Sequence, residues 1–183
     1  MKLENLLFQK SSTILARWID LTLGTYPSDA HRFLKKQKDR FANPVGTTIS
    51  REIENLYHEL LRGMHTENLS PLLDRIIRIR AVQDFSPAQA IAFIFILKGV
   101  IRSELEKELR EKELAEELLA FESRIDDLAL LAFDIYMKCR EKIYEIRVNE
   151  TTNHVSRLLQ KAGLICELPG PEPDPNQSKG NIV

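Results

Sequence analysis

Four histidines, His31, His58, His65 and His154, are the side chains best suited to hold a metal or a haem iron. His58 lies two residues after Leu56 and two before Leu60 on a helical pattern, so it points off the apolar face that a haem pocket would need. His65 falls in the turn that follows, and His154 sits in a polar segment. The two cysteines, Cys139 and Cys166, are 27 positions apart with no nearby Cys or His as a co-ligand, which argues against a zinc site or a disulfide framework. Cys139 falls on an apolar helical stripe and reads as a core filler rather than a nucleophile. Carboxylate pairs abound in "ELEKELREKELAEE" and at Asp126–Asp127, but in a charge-alternating run with basic partners three or four residues on, as on a solvated helix face. Walker-type loops, nucleophile elbows and HExxH motifs are missing from the sequence, so neither an enzyme nor a resident cofactor is expected.

Two further stretches invite a binding reading. The basic run "HRFLKKQKDR" holds Arg32, Lys35, Lys36, Lys38 and Arg40, a candidate patch for an anion or an acidic partner. The chain as a whole balances 26 Lys and Arg against 27 Asp and Glu, so nucleic acid is not the expected partner. Immediately after the run comes "RFANPVGTTISREI", residues 40–53, with Arg40, Phe41, Asn43, Pro44 and Gly46 crowded together. Asn43 before Pro44 must be extended, which ends one helix, and Thr47 or Thr48 is the expected N-cap of the next, with Thr48 favoured. Phe41 and Val45 are expected to pin the joint to the core. Arg40, with Glu52 as an ion-pair partner, is the residue left for function.

These stretches must be positioned by helices, because strand-like alternation is missing throughout. Apolar spacing predicts a first helix over about 3–23, with Leu3, Leu6, Leu7, Ile14, Trp18 and Leu21 inward, and a second over about 28–37 with Phe33 and Leu34 inward. A third runs to about 64 on Ile49, Ile53, Leu56, Leu60 and Met64. Ser70–Pro71 and Ser86–Pro87 read as the starts of the fourth and fifth, and the fifth's charged tail breaks near "REKELAEE". The last is the longest, about 115–162. Phe121, Ile125, Leu128, Ala132, Ile135 and Cys139 follow a 4-3-4-3-4 spacing along it, a seam for a dimer or for the protein's own core. "LPGPEPDPNQSKGNIV" closes the chain as a Pro-rich tail, giving one helical domain over 1–163 and a disordered 164–183. No signal peptide or membrane span is read from the pattern, and cytoplasmic residence is expected. The fold class is all-α, a bundle of about six helices.

The segment "LARWIDLTLGTYP…FLKKQKDRFANPVGTTISREIENLYHELL" resembles the N-terminal domain of the RsbR/RsbRD-type co-antagonists of RsbT, over roughly residues 5–110. The resemblance implies a dimeric, all-helical sensory or regulatory input module, similar to a globin without haem, that acts on another signalling protein and carries no catalytic residues. No STAS, kinase or DNA-binding sequence follows Gly163, so a stand-alone copy is expected. The competing class is a small-ligand or cofactor-binding helical accessory protein of a redox system.

Overall fold

Trp18 fixes the middle of the molecule. In the computed structural model, which describes residues 2–36, 41–83, 85–110 and 112–164, its side chain is fully buried. Its indole Nε1 donates to the Phe93 carbonyl at 2.6 Å, and the two rings stack at 6.4 Å. This joins the second helix to the sixth. The described chain contains seven α-helices, α1 Leu3–Gln9, α2 Ser11–Leu23, α3 Ser28–Lys36, α4 Pro44–Arg62, α5 Thr66–Val82, α6 Pro87–Glu104 and α7 Lys112–Lys161, with one 3-10 turn at Glu108–Arg110 and no strand among the described residues. It is all-α, with a long final helix.

Two units are distinguished, residues 1–143 and 144 onward. In the first, α2 packs against α6 and α4, α4 against α5, and α5 against α6. The proximal part of α7 runs antiparallel to α6, as the pairs Arg102–Glu122 and Lys98–Asp126 show. Residues 144–164 of the second unit contain no buried side chain.

Local chemistry explains where the helices break. The single helix expected over about 3–23 is two, because Lys10 departs from helical backbone between them. Its Nζ reaches the Glu104 carbonyl at 2.6 Å and Glu108 Oε1 at 2.7 Å, holding the break against the end of α6. Leu21 is exposed, not inward, and Leu23 takes the core position instead. In α3, Leu34 is buried as expected but Phe33 is exposed.

At the third joint the N-cap is Asn43, not Thr48. Its side-chain Oδ1 accepts from Gly46 N at 2.9 Å and its Nδ2 donates to the Leu34 carbonyl at 2.7 Å, so one buried amide ends α3 and starts α4. Pro44 then occupies the first helical position, where its missing N–H is harmless. Asn outranks Thr as a cap, and burial of this one removes water as a competitor. Val45 is partly buried against the core, but Phe41 is 95% exposed and does not anchor the joint.

Ser86 and Pro87 open α6 with a complete capping box to Gln89. Ser70 and Pro71 do not open α5, which begins at Thr66 and carries Pro71 inside it. Burial of Leu69 draws the preceding turn into the helix, while Pro71 and Glu67 stay exposed, so the carbonyl deprived of its donor faces water. The Pro-rich stretch, from residue 165 on, lies outside the described residues.

Gly46 is required by the cap: a Cβ there would lie 2.5–2.9 Å from the Asn43 amide. Gly46→Ala is expected to lower stability by about 1–2 kcal/mol, a fall of roughly 3–6 °C in thermal midpoint. An unchanged midpoint would show that the Asn43 cap contributes nothing.

Candidate functional site

Beside the Asn43 cap lies a cleft of about 490 Å³. Its floor is apolar, from Ala16, Ile19, Leu23 and Leu34, and one wall is the first turns of α4 with Thr47, Ser50 and Glu54. Thr47 Oγ1 is already used, donating to the Asn43 carbonyl at 2.8 Å. Of the motif residues, Asn43 and Gly46 line this cleft, Pro44 is exposed at the start of α4, and Phe41 projects outward. Arg40 lies outside the described residues. Glu52, expected to face Arg40, is buried and faces two other cations. Arg51 donates to its Oε1 through Nε and an Nη at 2.9 and 2.8 Å, and Arg75 Nε stands 3.1 Å from Oε2 as a charge contact without hydrogen-bond alignment.

Of the basic run, Arg32 is exposed, and the Lys35 and Lys36 side chains and the whole of Lys38 lie outside the described residues. The seam residues of α7 are brought together: Phe121, Ile125, Leu128 and Ala132 are buried, and Ile135 and Cys139 are partly buried against the same core.

The most unusual chemistry is at a residue that pattern reading does not single out. Arg80 of α5 is fully buried. Its guanidinium lies 5.4, 5.0 and 5.1 Å from the ring centroids of Tyr26, Phe85 and Phe93. It donates to the Gln89 carbonyl at 2.9 Å, the Thr22 carbonyl at 3.3 Å and Thr25 Oγ1 at 2.9 Å. No carboxylate among the described residues pairs with it. A buried charge needs some compensation. Here it comes from three ring faces, each worth up to about 2 kcal/mol when desolvated, and from carbonyl dipoles. Burial pushes the Tyr26 phenol above its usual value, and the guanidinium beside it pulls part of that back. Burial also lowers the proton affinity of Arg80, an effect that never neutralises a guanidinium in a protein. The signal was present in "LLDRIIRIRAV": Arg80 falls on the stripe of Leu73, Ile76 and Ile77, where an apolar residue belongs.

No group of three or more His, Cys, Asp or Glu among the described residues could hold a metal ion. Cys139 is partly buried, and burial, followed by the Asp74 carboxylate, pushes its thiol up, away from a reactive thiolate. His58 stands edge-on to Tyr57, and His65 precedes α5 without capping it through its side chain. No helix among the described residues is long and apolar enough to cross a membrane.

Arg80→Ala is expected to destabilise the protein by about 3–5 kcal/mol, since it opens a cavity and takes the Arg80 donors from the Gln89 carbonyl and Thr25 Oγ1. Thermal unfolding followed by circular dichroism checks this; a loss under about 1 kcal/mol would contradict the role given to Arg80.

The chain is 34% identical over 84 residues to an uncharacterised protein of Archaeoglobus fulgidus, an overlap covering 45% of this chain and 52% of that relative. It thus spans about half the length of that protein. No solved structure matches. The profile of the RsbT co-antagonist protein rsbRD N-terminal domain matches residues 12–151. With most of its length under that profile, the chain belongs to this family of regulatory signalling domains.

Proposed function

We propose that the chain is a non-catalytic regulatory module of the cytoplasm, a homodimer that acts by binding another signalling protein. Residues 1–163 form the working domain in this reading and 164–183 a tail. The observation that carries it is the distal part of α7. Residues 144–161 continue the helix without a single buried residue, and Tyr144, Val148, Val155 and Leu158 are exposed at spacings of four, seven and three. Thr151 completes the 3.5-residue pattern. A helix of this length has marginal stability in water unless its apolar stripe packs on something. A heptad-spaced stripe fits a partner's helix by knobs-into-holes packing. Membership of a regulatory signalling family supports the same role.

The apolar cleft beside Asn43 favours a second reading, in which a small ligand is the signal. Native mass spectrometry of the protein from its own host is expected to show bare polypeptide under the first reading; a stoichiometric bound mass would favour the second.

Light scattering should give about twice the monomer mass of 21.1 kDa. The pair Val148→Glu and Val155→Glu is expected to leave that mass and the thermal midpoint within about 2 °C, since surface substitutions seldom exceed ±0.5 kcal/mol. It should abolish capture of the signalling protein that the unaltered chain retains from host extract. Equal recovery of that protein by the variant would contradict the role given to distal α7.

A further inference from the structure

The homodimer proposed above needs a face, and α6 supplies one with an oddity at its centre. Gly99 stands in mid-helix, exposed, with nothing within 4 Å of where a Cβ would sit. Glycine is among the poorest helix formers, and packing inside this chain gives no reason for it here. One turn earlier, Phe95 is 45% exposed. The outward stripe of α6 reads Ala88, Ala92, Phe95, Gly99 and carries no charge, which a solvated helix face ordinarily does.

The charges that border the stripe are paired within the chain, and Arg102 closes it one turn after Gly99. Arg102 and Lys98 bind Glu122 and Asp126 on α7, and Arg17 of α2 reaches Ser103 and Glu104. Lys98 Nζ, 6.0 Å from the Phe95 centroid, flanks that ring on the α7 side. On α7, Leu130 is 67% exposed, with Phe133 and Met137 near 40%. The antiparallel register set by the two ion pairs brings Leu130 level with Phe95. A bulky knob and an empty hole four residues apart, on one uncharged stripe, are complementary to themselves.

We propose that a second copy of this chain docks on the α6–α7 face about a two-fold axis crossing α6 at the level of residue 97. Phe95 of each copy then fills the space over Gly99 of the other. This rests on the dimeric reading above and names its surface. Such an interface is isologous, each contact occurring twice. Two helices over the 18 residues of α6 present a face of roughly 27 by 20 Å per copy. The contact would bury on the order of 1,000 Å² in all, at the low end for specific interfaces, so the dimer is reversible.

The test is the dimer dissociation constant of the full chain by sedimentation, for the unaltered protein, Gly99→Glu and Phe95→Ser. Gly99→Glu replaces a poor helix former where the monomer has room, so its thermal midpoint in dilute solution should not fall. Its dissociation constant should rise at least tenfold, and that of Phe95→Ser likewise. Dimers of unchanged affinity in both variants would overturn the assigned face while leaving the dimeric reading intact. A monomer at every concentration would overturn the dimeric reading and the face with it.

Discussion

A guanidinium buried among three aromatic rings is an uncomfortable object, and the arrangement of the helices follows from keeping it satisfied. Arg80 needs the carbonyl of Thr22 and the hydroxyl of Thr25 from the end of α2, the carbonyl of Gln89 from the start of α6, and the rings of Tyr26, Phe85 and Phe93 around it. Those groups come from four places along the chain. Were any displaced by an ångström or two, a full charge would lose its compensation in a low-dielectric setting. The cluster therefore acts as a specifying contact, one that admits a single packing of α2, α5 and α6.

The constraint extends to α7 through the turn between α5 and α6. Tyr136 donates from its hydroxyl to the Phe85 carbonyl, and Arg140 donates to the Ala81 carbonyl at 3.0 Å. Both acceptors lie within five residues of Arg80. Further up, the bidentate Arg102–Glu122 pair, at 2.6 and 2.7 Å, and the Lys98–Asp126 pair fix the register of α7 on α6. Beyond residue 143 none of the described side chains of α7 is buried.

How far the sequence discloses this depends on the kind of signal. Helix existence and the long α7 seam were legible because 3.6-residue spacing is a direct consequence of burying one face. Ser86–Pro87 was legible because a complete capping box follows it. Ser70–Pro71 carries the same two letters and misleads, because burial of Leu69 outweighs the local start signal. The Asn43 cap is not legible, because it depends on burial of the Asn43 amide between Leu34 and Gly46. Hydrophobicity alone points Phe33 and Phe41 inward, and both are exposed. Arg80, Glu52 and Glu122 share one lesson: a charge lying on an apolar stripe is a buried group satisfied by neighbouring groups of the chain rather than a break in the pattern. The candidate cleft was not legible at all, since it depends on how α2, α3 and α4 meet.

We proposed that residues 144–161 of α7, none of them buried, serve to bind another protein. Native-state amide hydrogen exchange of the isolated protein tests this directly. Amides of 121–136 should be protected to nearly the global stability, and those of 144–161 should exchange within a small factor of unprotected peptide. Equal, strong protection along the whole of α7 would contradict the account.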